Sequence, residues 1–343
     1  IEKGDVARGD ALIGADAGYD VANVGGTYGV YHGVAKIGTN YYATLTEALA
    51  AVQEGETIEL LAGVTISEGT VKMPAELKNV AIKGAEGAVL KDTTLMAADG
   101  NSLSYVGLTI DGVVFDNSRI SITGWRNNGV IVEDLTVTNC EFKNLNDTTN
   151  SACVHINMAA TEPVNGFTFS NNVIDGATGG SKSGVYAQVT GEVNFTGNVI
   201  NNVSFRPYVI QLTTDDGIAD NFVVTGNTFS GSAAGRAQGL GNNAAGTDTV
   251  NLVVSGNIFK DITNSQQICY WNFNPATTTA DLSHNYYDIN ILANPGKIYY
   301  NSAAANVYDL LDSGDDEKLM KLVEEETVMH FKSSEFTDQF IKD

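Results

Sequence analysis

Apolar and polar residues alternate with a period of two in short phrases, and the phrases recur down the chain. In DNFVVTGNTFSG, Asp220 to Gly231, Phe222 and Val224 occupy one side of a half-buried strand, with Asn221 and Val223 on the other. A Thr225-Gly226-Asn227 corner follows, then Phe229. The phrase returns as LTVTNCEF from Leu135, FTFSNNVI from Phe167, VNFTGNVI from Val193, LVVSGNIF from Leu252 and ADLSHNYY from Ala280. Weaker copies are LTIDGVVF from Leu108 and VAIKGAEG from Val80.

Stacked, the phrases form columns. One apolar column passes through Leu135, Phe167, Val193, Phe222 and Leu252, and another, two residues on, through Val137, Phe169, Phe195, Val224 and Val254. The corner column holds Asn172, Asn198, Asn227, Asn257 and Asn285, preceded by Val113 and Cys140. From Val113 to Asn285 the corners are 27, 32, 26, 29, 30 and 28 residues apart. One strand phrase per repeat at that period marks a solenoid, in which each coil buries its apolar face only against its neighbours. The units lack helical periodicity and are too short for propeller blades. The expected fold is therefore all-β, a right-handed parallel β-helix of about eight coils. The corner amides are placed to satisfy turn backbone groups and to pair from coil to coil as an asparagine ladder.

Outside the repeat, Thr44-x-x-Glu47 is a capping box ahead of an apolar stripe of Leu45, Ala48, Leu49 and Val52, with Gly55 placed to end the helix. An amphipathic helix here would close the open end of the solenoid. Three segments are expected: 1–40, without a clear pattern; 41–305, the β-helix with its helical cap at 44–54; and 306–343, an acidic helical cap or tail.

Charge narrows the partners. The chain carries 41 acidic and 19 basic residues, a net charge of −22. That argues against nucleic acid, whose binders present basic stripes, and against anionic membrane surfaces. It suits a secreted or surface-displayed protein and the binding of divalent cations. No stretch is long and apolar enough for a transmembrane helix, so no membrane insertion is expected. The chain begins at Ile1 with no visible signal peptide, as a processed export product would. Cys140, Cys153 and Cys269 show no metal-binding spacing and read as small buried apolar residues.

The phrase IGTNYYATLTEALAAVQEGETIELLAGVTI, followed by NVAIKG, resembles the opening of pectate-lyase-like right-handed β-helices on bacterial cell-surface proteins. The similarity covers about Tyr41 to Ala305. That superfamily contains polysaccharide lyases, polygalacturonases, tailspikes and non-catalytic adhesive modules, so the resemblance implies a fold and a cell-surface setting without selecting an activity.

Candidate chemistry lies on the second strand of each coil, 13–17 residues past the corner. Alternation places Val154, Ile156, Ala187, Val189, Ile210 and Leu212 inward. Outward lie an amide column of Asn157, Gln188, Gln211 and Asn272, interrupted near Gly241, and a neighbouring column with His155, Tyr186 and Tyr270. Thr213 extends the same face. Amides to hydroxyls and tyrosine rings to pyranose faces suit a polysaccharide or host glycan. Catalysis needs a base and a means of neutralising a carboxylate, or paired carboxylates. Lys182, Arg206, Asp215 and His155 are the candidates. The pair Asp215-Asp216 resembles the aspartates of polygalacturonases and is a candidate Ca2+ site, but the Asn-Thr-Asp, Gly-His-Gly and Arg-Ile-Lys motifs of those enzymes are absent. No other cofactor is implied. The leading expectation is a secreted or cell-surface protein that binds glycan or a host surface without cleaving it. A polysaccharide lyase or hydrolase on the same face, or a structural spacer, are the alternatives.

Overall fold

The computed structural model describes residues 19–24, 27–99, 102–123, 130–145, 152–157, 164–176, 183–203, 206–212, 217–231, 235–239, 247–260, 269–272, 277–281, 284, 286–287 and 299–301. They form a parallel β-solenoid in which each repeat phrase is the strand leading into a corner. Val164–Ser170 pairs in parallel with the end of Ser183–Thr196, which pairs with Asp220–Thr225, which pairs with Val250–Ser255. The register is the one the columns require, with Phe167 opposite Val193, Val193 opposite Phe222 and Phe222 opposite Leu252. Even the weak copy at Ala81–Gly84 is a true rung, opposite Thr109–Asp111. Past the corner a short sheet of nine strands runs from Thr65–Ile66 to Tyr286–Tyr287, so the number of coils differs slightly from the expected eight. A third face carries the candidate chemistry.

Inward residues make one continuous core. Both apolar columns are buried, and a row of rings rises through it: Phe115 on Phe142 at 4.6 Å, Phe169 on Phe195 at 5.1 Å, and Phe229 on Phe259 at 5.1 Å between centroids. The corner is a two-residue device. Its first residue takes the left-handed conformation, at φ +65 in Gly226, where a β-carbon would be strained, and Asn139 and Asn171 meet the same demand in other coils. Its second residue points in. Asn172, Asn198, Asn227 and Asn257 are buried, and each Oδ1 accepts the backbone N–H of the corner residue one coil earlier at 2.8–3.0 Å. Each Nδ2 donates to a carbonyl of an earlier coil at 2.8–3.0 Å. The asparagine ladder is therefore real over four coils; Asn285 lies outside the described residues. Cys140 stands in the same column as a buried thiol, its pKa pushed up to about 12 by burial, and Cys153 is also buried and unbridged.

At the amino-terminal end the helix Leu45–Ala51 buries Leu45, Ala48 and Leu49. It is shorter than the expected 44–54 because Val52 leaves the helix as an extended cap residue before Gly55 is reached. Thr44 Oγ1 accepts the Glu47 N–H at 3.0 Å, while the Glu47 carboxylate accepts the N–H of Ala43, one residue before the cap. Glu68, from the first coil, accepts the N–H groups of Leu45 and Thr46 at 2.7 and 3.2 Å and ties the helix to the solenoid. Residues 19–40, unassigned by pattern, contain an antiparallel hairpin, Tyr19–Val24 with Thr27–His32, and the strand Ala35–Ile37, which lies antiparallel to Thr57–Leu60 and covers that edge. The segment 306–343 lies outside the described residues.

Candidate functional site

Five strands build the candidate face: Arg119–Thr123, Ala152–Asn157, the first half of Ser183–Thr196, Arg206–Leu212 and Gly235–Gly239, with Cys269–Asn272 and Tyr299–Asn301 continuing it. Alternation is as expected. Val154, Ile156, Ala187, Val189, Ile210 and Leu212 are buried, while His155, Tyr186, Gln188 and Gln211 are half-buried between core and solvent.

Backbone register lines up the amides. Thr123 is opposite Asn157, Ile156 opposite Ala187 with Asn157 and Gln188 following one place on, and Gln188 opposite Gln211. Gln211 is then opposite Gln238, and Gln238 opposite Asn272. The interruption expected near Gly241 is thus a correction: the strand pairs three residues earlier, and Gln238 fills the row. The neighbouring row runs Ser121, His155, Tyr186, Val209, Arg236, Tyr270 and Tyr300. Arg236 in that row was missed by sequence reasoning because the loop before it differs in length from its neighbours. Five amide rungs at about 4.8 Å put the amide row at roughly 19 Å from end to end.

Within the row the described side chains are ordered by one another. Tyr186 Oη donates to Gln211 Oε1 at 3.0 Å, and Gln188 Nε2 donates to the same oxygen at 3.2 Å. Gln188 Oε1 is buried with no hydrogen-bond partner among the described residues. The His155 ring meets the Tyr186 ring edge-on at 5.4 Å and 76°. Burial, and secondarily the positive charge of Arg119, lower the His155 pKa below the usual imidazole value, so the ring is neutral at pH 7 and acts as a hydrogen-bonding and stacking surface.

That shift has a sign that can be measured. A folded-state pKa below the unfolded one gives stability that is complete above about pH 6.5 and is lost as pH falls through the folded value. His155→Gln should therefore lose less stability than the wild type on acidification from about pH 7.5 to about pH 5. Urea midpoints of both proteins at the two pH values check this, and an equal or larger loss in the variant overturns it.

The candidate catalytic groups are not all brought into one view. His155 is opposite Tyr186 and Arg206 opposite Ser183, three residues apart along the strand, or about 10 Å, and on strands separated by one coil. Lys182, Thr213, Asp215 and Asp216 lie outside the described residues. Asp220, close in sequence to the aspartate pair, is buried and accepts the Gly191 N–H at 2.7 Å, holding a turn. Among the described residues no group of three or more His, Cys, Asp or Glu could hold a metal ion, and no helix is long and apolar enough to cross a membrane.

No family model, curated protein or solved structure matches the chain. The reading of this face rests on its own residues.

Proposed function

We propose that the chain is a β-solenoid that binds an extended carbohydrate along the amide row without cleaving it, as a secreted or bacterial cell-surface protein of adhesive type. The observation that carries this is the in-register row of Asn157, Gln188, Gln211, Gln238 and Asn272 beside the row in which His155 and Tyr186 are followed by Val209, Arg236 and Tyr270. A sugar chain presents hydroxyls at short regular intervals and flat apolar ring faces. The paired rows offer carboxamides for the first and aromatic rings for the second. The neutral state of His155 and the ordering of Gln211 by two donors support a preorganised surface, which lowers the entropy cost of binding. The acidic composition and the pectate-lyase-like opening motif support the extracellular setting.

Calorimetric titration with soluble neutral and uronate-containing oligosaccharides, with and without Ca2+, tests the reading. Tyr186→Ala should weaken binding about tenfold, through loss of both the ring face and the hydroxyl that holds Gln211. Tyr186→Phe, which keeps the ring, should weaken it less. Release of unsaturated uronates or new reducing ends would replace the non-catalytic reading with a lyase or hydrolase. Affinity unchanged in Tyr186→Ala would remove the ligand from this face.

A further inference from the structure

The face leading into the asparagine ladder carries a second pattern, independent of the amide row. Its outward residues form two rows in strict register. One runs Thr136, Thr168, Asn194, Val223 and Val253. The other, two residues further along each strand, runs Thr138, Ser170, Thr196, Thr225 and Ser255. All are half-exposed. None of the ten positions is charged, in a chain of net charge −22. Charge borders the rows at their ends, at Asp111 opposite Thr138 and at Asp281 opposite Val253, and along one flank, where Glu133 stands opposite Asn165 and Glu192 accepts from Asn194 Nδ2 at 2.9 Å.

The side chains are short, and most are β-branched, so they have little rotamer freedom to lose on contact. Thr138 and Ser170 hydroxyls already lie 3.0 Å apart across adjacent coils. The result is a flat grid of hydroxyl and methyl groups, repeating at about 4.8 Å from coil to coil and about 6.6 Å along each strand. Five coils of two rows cover on the order of 300 Å² at those spacings. A stable protein partner needs about 800 Å² on each side, so a second copy of this chain is a poor occupant. The absence of charge likewise disfavours a polyanion, which would gain nothing from these positions.

We infer that this threonine face adsorbs to a flat, ordered, uncharged polysaccharide, such as packed β-linked glucan or chitin chains, whose surface is also a regular array of hydroxyls and ring C–H groups. This goes beyond the amide row and does not depend on it: the amide row takes single soluble chains, and the threonine face takes a packed surface.

The test is retention on insoluble cellulose and chitin against a soluble-chain control, with folding checked by thermal melts. The wild type should be retained, with little effect of added salt because no charge pair is made. The double variant Thr196→Glu, Thr225→Glu places uncompensated carboxylates at the centre of the contact and should lower retention by at least about tenfold. Thr196→Lys, Thr225→Lys should do the same, since the cost is desolvation and not sign. Tyr186→Ala should leave it unchanged. Absence of wild-type retention, retention lost in the Glu pair but kept in the Lys pair, or retention that disappears in Tyr186→Ala each overturns the inference. So does shaping of growing ice crystals by a wild type that neither polysaccharide retains, which would identify a lattice of water as the occupant.

Discussion

Asn227→Ala should cost about 4 kcal/mol, or leave the chain insoluble, although the change removes no apolar surface. Asn227 Oδ1 accepts from both the N–H and the Nδ2 of Asn198, at 2.8 and 2.9 Å, and Asn227 Nδ2 donates to Phe195 O at 2.8 Å and to Asn257 Oδ1 at 2.9 Å. All these groups are in a buried corner that water does not reach. Alanine leaves the buried Asn198 N–H without its acceptor, and takes a donor each from the Phe195 carbonyl and Asn257 Oδ1 and an acceptor from Asn198 Nδ2. It also opens a small cavity, and each lost buried bond is worth about 1–3 kcal/mol. Asn227→Asp keeps the acceptor and, when protonated, one donor, so it should be intermediate only in the protonated form; ionised, it loses the donor and buries a charge. Urea denaturation followed by circular dichroism measures the loss. Because a solenoid is stabilised by nearest-neighbour contacts, amide exchange should accelerate most around residues 193–231 and less toward the helix at Leu45–Ala51. A cost below about 1 kcal/mol would mean that the ladder is decorative.

Phe195→Ala should rank beside it, at about 3–5 kcal/mol, but through packing. Phe195 is fully buried and meets Phe169 at 5.1 Å, Tyr208 at 5.1 Å and Phe229 at 6.4 Å. Those neighbours sit on rigid parallel strands, so the cavity collapses poorly. Phe195→Leu, which conserves more volume, should cost less than about 1.5 kcal/mol. Comparison of denaturation midpoints and of the near-ultraviolet dichroism of the aromatic row separates the two variants. Equal costs for Leu and Ala would show that the ring itself, and not the volume it fills, carries the packing.

These two residues were readable from the chain because each belongs to a column repeated in successive coils. A strand phrase of alternating residues fixes which side is buried, and repetition fixes the register. The candidate face was less legible because the connection before it varies in length. Gln211 and Asn272 could be aligned, but Gln238 and Arg236 could not, since only strand pairing shows that Gly235–Gly239 slides three residues from the expected position. The hairpin Tyr19–Val24 with Thr27–His32 was not legible at all: it occurs once, so no column reports it. The two uncharged rows of the threonine face were present in the five phrases from Leu135 to Leu252 as the residues between the apolar ones. Their neutrality becomes meaningful only when the coils are stacked.

The asparagine ladder runs in one direction and has a beginning. Each carboxamide oxygen takes its protons from the coil before, and the series starts with the Cys140 N–H, since neither Cys140 nor Val113 has an amide to extend it. Between Asn172 and Asn198, three bonds join successive coils through this one corner. The earlier coils rely on a sparser hydroxyl column, in which Thr93 Oγ1 accepts from Glu68 N–H and Ser118 Oγ accepts from Thr93 N–H. Pulled from its amino-terminal end, the molecule is therefore a zip with two grades of teeth. Coils should peel away at low force until Cys140 is reached, and the force needed to release the next one should then step upward.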